Sequence, residues 1–167
     1  MASIAGPWEL PSGIVRELRA LVGQSCTLHR IRTDRSLSIG FGSIDGSGRS
    51  PHGEWEIGTY RGSWRVVRNG VILCGSRDAV DSINDLNDCL TRTGIGEFLS
   101  IEHLSRLDFR VNFSSDVSID IFCTFSDDDE VLHIFFPGKK VAAFSAQTGW
   151  MMGPSDQPWN PAPPCMD

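Results

Sequence analysis

Three short runs in this chain alternate apolar and polar residues: Leu37 to Phe41, Phe109 to Phe113, and Val117 to Ile121. Successive side chains of a strand point to opposite faces, so this period of two calls for strands with one buried face, and a helix cannot bury it. An antiparallel, strand-rich fold is the expectation. The third run, VSIDIF, puts Val117, Ile119 and Ile121 on one face and Ser118, Asp120 and Phe122 on the other.

The alternating runs belong to a faint internal similarity. Residues Gly23 to Phe41 lie over Gly96 to Phe113 if the turn of the first copy holds one extra residue. Leu28 then matches Ile101, Ile31 matches Leu104, and Leu37, Ile39 and Phe41 match Phe109, Val111 and Phe113. Each copy is expected to be a β-hairpin extended by a third strand. In the second copy that strand is VSIDIF, reached through Ser114, Ser115 and Asp116. In the first it is EWEIGTY, delayed by IDGSGRSPHG, a loop too polar to pack and expected to be mobile.

Two segments carry helical spacing. Ile14, Val15, Leu18, Leu21 and Val22 follow Pro11-Ser12, and Ala79, Ile83, Leu86 and Leu90 follow Ser76. The expected class is therefore α+β, mainly β: two weakly similar helix-plus-antiparallel-meander repeats forming one curved sheet or two facing sheets. The length of 167 residues suits one domain. Its bounds are placed at 1–152, with repeat one over about 12–76 and repeat two over about 77–152. Residues 153–167 carry five prolines and form an expected flexible tail in which Trp159 could dock.

No stretch reaches the roughly 20 apolar residues of a membrane helix. The first residues, MASIAGPWELPSG, lack the basic and apolar regions of an export signal, so the expected location is the cytoplasm. Five widely spaced cysteines without a CxxC pair argue against a disulfide framework and a zinc ribbon. Charge is unevenly spread. Residues 1–78 hold ten arginines against seven acids, and residues 79–167 hold five basic residues against fourteen acids. An acidic half repels nucleic acid and anionic membranes and favours a basic partner.

Asp127, Asp128, Asp129 and Glu130 stand between two apolar runs, expected as a hydrated hairpin tip; they lack the ligand spacing and central glycine of a calcium loop. His29, His52, His103 and His133 show no metal-ligand spacing, and no serine or cysteine sits in a nucleophile motif. Neither a metal nor a cofactor is expected. Trp55 and Trp64 are expected mainly in the core, leaving Tyr60, Arg61 and Arg65 as exposed aromatic and guanidinium groups of the kind enriched at binding hot spots.

WRVVRNGVILCGSRD resembles a motif of small β-rich bacterial proteins, carried here by Trp64, Arg65, Gly70, Gly75, Ser76 and Asp78. The stretch from LSIEHLSRLDFRVNFSS to FSDDDEVLHIFFPGKK is similar to the strand pair, acidic turn and returning strand of the same proteins. One aromatic of that pattern is missing, with Leu132 near its place. The resemblance implies a toxin-immunity-like protein, hence a non-enzyme, and supplies no catalytic residue.

The leading expectation is a cytoplasmic protein-binding module, an immunity protein that neutralises a basic toxin domain through its acidic half. Asp116, Asp120, Asp127, Asp128, Asp129 and Glu130 would steer the partner, and Tyr60, Arg61 and Arg65 would anchor it. The alternative is a small-molecule binder or enzyme with a cleft between the repeats, around His29, Glu56, His103 and His133.

Overall fold

The computed structural model describes residues 9–46 and 50–157. Eleven strands and two helices follow one another as α1 (Ser12–Arg19), β1 (Cys26–Ile31), β2 (Leu37–Asp45), β3 (His52–Gly58), β4 (Ser63–Arg68), β5 (Val71–Gly75), α2 (Ile83–Thr93), β6 (Phe98–His103), β7 (Phe109–Phe113), β8 (Val117–Phe122), β9 (Glu130–Phe136), β10 (Lys140–Ser145) and β11 (Gly149–Pro154). The protein is α+β and mainly β. Its strands make two antiparallel sheets, sheet I in the order β1-β2-β3-β9-β10-β11 and sheet II in the order β5-β4-β8-β7-β6.

The alternating residues explain the layering. Leu37, Ile39, Phe41, Phe109, Val111, Phe113, Ile119 and Ile121 are all at most 2% exposed and belong to one shared core. Aromatic rings lock the two sheets face to face: Phe41 of sheet I meets Phe98 and Phe113 of sheet II, and Phe109 of sheet II meets Phe144 and Trp150 of sheet I. Such edge and stacked contacts add about 0.5–1.5 kcal/mol each beyond the area they bury. Trp55 and Trp64 lie in this core, as expected from the sequence.

The two halves of the chain exchange their last strands. The meander β1-β2-β3 builds half of sheet I and is followed by β4 and β5 in sheet II; the meander β6-β7-β8 builds three of the five strands of sheet II and is followed by β9, β10 and β11 in sheet I. Where the sheets meet, Cys26 N–H donates to Gly96 O and Phe98 N–H donates to Gln24 O, flanking a bridge between Ser25 and Glu97. Gln24, Ser25 and Cys26 lie 72 positions before Gly96, Glu97 and Phe98 respectively.

That spacing corrects the sequence alignment. Leu28 stands opposite Gly40 and Ser100 opposite Asn112, so Leu28 corresponds to Ser100 and not to Ile101. The turns are of equal length, and the irregularity is a bulge, at Cys26/Leu28 in one hairpin and Phe98/Ser100 in the other. A bulge shifts which residues face the core without lengthening a turn.

Both helices are shorter than their apolar spacing suggests. α1 stops at Arg19, so the buried Leu21 lies beyond it and Val22 is exposed. α2 starts at Ile83, because Ser82 accepts from Asn84 N–H and Asp85 reciprocates onto Ser82 N–H in a capping box; Ala79 lies outside it. From α2, Asn87 donates to Ile31 O and accepts from Ile31 N–H, covering the edge of β1. In the polar loop between β2 and β3, the strands extend to Asp45 and resume at His52. The tail expected from 153 begins later than its prolines suggest, because Gly153 and Pro154 pair with β10, Ser155 N–H donates to Lys139 O and Asp156 pairs with Lys139; residues 47–49 and 158–167, Trp159 included, lie outside the described residues.

Candidate functional site

The chain passes between the sheets twice at one end of the molecule, through residues 59–62 from β3 to β4 and through residues 123–129 from β8 to β9. The acidic run is therefore a crossover and not a hairpin tip. Both edges of β8 are taken by β4 and β7, and both edges of β9 by β3 and β10, so β8 and β9 never pair.

The crossovers join residues 66 and 68 positions apart. Arg61 Nη1 donates to Asp127 Oδ2 at 2.8 Å and to Asp129 Oδ2 at 3.2 Å, while its guanidinium lies 4.9 Å from the centre of the Phe125 ring. Both carboxylates raise the Arg61 pKa above its ordinary value. Thr148 Oγ1 donates to Asp128, Gln147 donates to Ser126 O, and Asp129 accepts from Glu130 N–H. Tyr60 is 55% exposed with its ring edge-on to the buried His133. Tyr60, Arg61, Asp127, Asp128, Asp129 and Glu130 thus share one end of the molecule.

The remaining predicted site residues do not join them. Asp116 is at the far end of β8, in the β7–β8 turn, about 20 Å away by strand rise. Asp120 corrects the expectation of a steering charge, because its side chain is fully buried beneath two arginines. Arg65 Nε donates to Asp120 Oδ2 at 2.8 Å, and Arg110 donates from Nε to Oδ1 at 2.6 Å and from Nη2 to Oδ2 at 3.1 Å. Burial alone would raise the Asp120 pKa, but the two guanidiniums outweigh it and hold the carboxyl below its ordinary value. Arg65 spends its charge here and rests on Phe122, at 5.0 Å.

Sheet I presents a different outer face. His133 lies between Glu56 and Glu130, with Nε2 3.9 Å from Glu56 and Nδ1 3.7 Å from Glu130, longer than direct hydrogen bonds. Nδ1 is buried and makes no hydrogen bond. Burial would raise the Glu56 pKa, yet contacts with His133 and Ser38 bring it below its ordinary value. Gly58 makes room for the imidazole: a Cβ there would stand 2.5 Å from His133 Nε2.

The four groups proposed for a cleft between the repeats do not come together. Glu56 and His133 meet, but His29 shares a hydrogen bond with Thr91 Oγ1 and His103 with Ser105 O. Burial holds the Cys74 thiol well above its ordinary pKa and that of Cys26 at about 11, so neither is an activated nucleophile. Among the described residues no three His, Cys, Asp or Glu side chains are arranged to hold a metal ion, and no helix is long and apolar enough to cross a membrane. Arg110 was missed from the sequence. Its one signal was an arginine on the outward side of an alternating strand, across from an aspartate on the next.

Compared with known proteins, the chain matches no family profile, no curated protein and no solved structure.

Proposed function

We propose that this protein is a non-enzymatic binding module whose crossover end docks a basic surface of a partner protein. The observation that carries this reading is the juxtaposition of an exposed Tyr60 with an acidic segment that Arg61 fastens in place. A pre-ordered rim loses less freedom on association than a loose one, and a projecting aromatic ringed by charge has the anatomy of a binding hot spot. Asp128 and Glu130 are the carboxylates of the run that do not pair with Arg61, and they supply the steering field; Tyr60 is the anchor. The resemblance noted in the sequence suggests the partner, a basic toxin domain, and with it an immunity function in the cytoplasm.

The test is association kinetics with a candidate basic toxin domain at several salt concentrations. Steering by exposed charge predicts an on-rate that falls as salt rises. Replacing Asp127, Asp128, Asp129 and Glu130 together by Ser should flatten that slope, and Tyr60→Ala should raise Kd about 30-fold or more through faster dissociation. An on-rate indifferent to salt would remove the acidic-surface mechanism.

A further inference from the structure

Beside the acidic rim, the same end holds a pocket of opposite character. We propose that it binds a phosphate group, held by Arg35, Arg61 and Arg77 with the Ser63 hydroxyl. The pocket has a volume of about 130 Å³, and three separate segments line it: the β1–β2 turn, the β3–β4 crossover running into the start of β4, and the residues after β5. That is well under the roughly 300 Å³ of sites for drug-sized ligands and suits a single tetrahedral oxyanion.

The three arginines are spaced far apart in the sequence, and the fold aims them at one place. Arg35 takes a left-handed backbone, with φ at 66°, which a non-glycine residue adopts at a cost. Its backbone carbonyl accepts from Trp64 Nε1 of the core, and its Nη1 donates to Ser76 O and Asp78 O. Arg61 likewise makes its hydrogen bonds through Nη1 alone. A guanidinium carries five N–H donors in a planar fork, so Nε and Nη2 of both arginines remain for a ligand. Arg77 is exposed, and among the described residues it makes no hydrogen bond or ion pair.

Asp34 is the one carboxylate in the lining, and its charge opposes an anion there. Asp34 Oδ1 accepts from both the N–H and the hydroxyl of Ser36, which lowers its pKa. In a chain of net charge -6, three arginines around one small cavity, two of them immobilised by carbonyls or carboxylates, form a preorganised donor set for an oxyanion. Tyr60, on the rim, gives a flat surface for whatever bears the phosphate. This assignment shares Arg61 with the acidic rim, whose Asp127 and Asp129 hold that guanidinium, but it does not depend on a partner docking there.

The experiment is a titration of the full chain with inorganic phosphate, followed by amide chemical shifts at constant ionic strength, with acetate in a parallel arm. The expected result is saturable shifts confined to residues 34–36, 60–63 and 76–77, with phosphate binding at least fivefold tighter than acetate. Arg77→Gln, at an exposed unpaired site, should keep the fold and weaken binding about tenfold. Asp34→Asn should tighten it, and Arg19→Gln on α1 should leave it unchanged. Shifts that do not saturate, equal affinity for acetate, or unchanged affinity in Arg77→Gln would each overturn the assignment.

Discussion

The outer faces of the two sheets occupy corresponding places in the fold and solve opposite problems. At the centre of sheet II a carboxylate, Asp120, stands across from Arg65; at the centre of sheet I the corresponding pair is Gly58 and His133. In sheet II two arginines roof the buried acid and satisfy both of its oxygens. In sheet I the glycine lets an imidazole lie flat across the strand, held by longer contacts to Glu56 and Glu130 and leaving one ring nitrogen without a partner. The inward residues of both sheets are apolar and share one core, so the outer faces are not bound by the same packing. Chemistry can differ on the outer side of a strand while the inner side keeps the layers together.

The largest test of this contrast is Asp120→Ala. It strands two guanidiniums beside a desolvated site, and removing one partner of a buried pair should cost about 3 kcal/mol, read as a lower midpoint in urea denaturation with unchanged slope. A loss under about 1 kcal/mol would mean that the network is as loose as an exposed pair.

Gly58→Ala probes the other face. The added Cβ would press on His133 Nε2 at 2.5 Å and on Leu37 O at 2.9 Å, and overpacking of this kind should cost about 2 kcal/mol. Thermal unfolding measures it. His133→Ala in the same background should recover part of the loss if the imidazole is the obstacle.

Acid should separate the faces further. Asp120 and Glu56 both have pKa values below their ordinary ones, so the stability they contribute is present above the unfolded-state values near 4 and is lost as pH falls through the folded ones. Glu56→Gln should destabilise by about 1 kcal/mol at pH 7 and converge with wild type once the pH has fallen through the folded-state pKa of Glu56, whereas Asp120→Ala should remove the larger share of the acid-dependent loss. Equal acid profiles for wild type and both variants would refute this division. Arg61→Ala should have the least effect on stability. Its pairs are half exposed, and the expected outcome is an unchanged denaturation midpoint with faster hydrogen exchange at amides 126–130.

Much of the fold was legible because its signal is local. Alternation at Leu37 to Phe41 and Phe109 to Phe113 marked strands, and the polar faces of those strands stayed outward. The helix starts were less legible, since Ser76 and Ser82 both offer a capping hydroxyl and only Ser82 has an acid three residues on that closes a capping box. The acidic run was legible as a turn and misleading as a hairpin, because strand pairing depends on which edges are free, and β4 and β3 take the edges that β8 and β9 would share. Asp120 and Arg110 appeared as two outward polar residues on neighbouring strands. The burial of Asp120 follows from the long arginine side chains folding over it, which no spacing rule reveals.

By itself the sequence determined a strand-rich α+β chain, its apolar faces, the burial of Trp55 and Trp64, and an acidic second half, since period and composition act over a few residues. The tertiary structure alone decided that the two halves exchange strands, that Arg61 reaches an acidic segment 66 residues on, that Asp120 is an internal counter-ion, and that Arg35, Arg61 and Arg77 face one pocket. Contacts between distant residues depend on which strand edges pair and on where crossovers lie, and those are settled by the packing of the whole core.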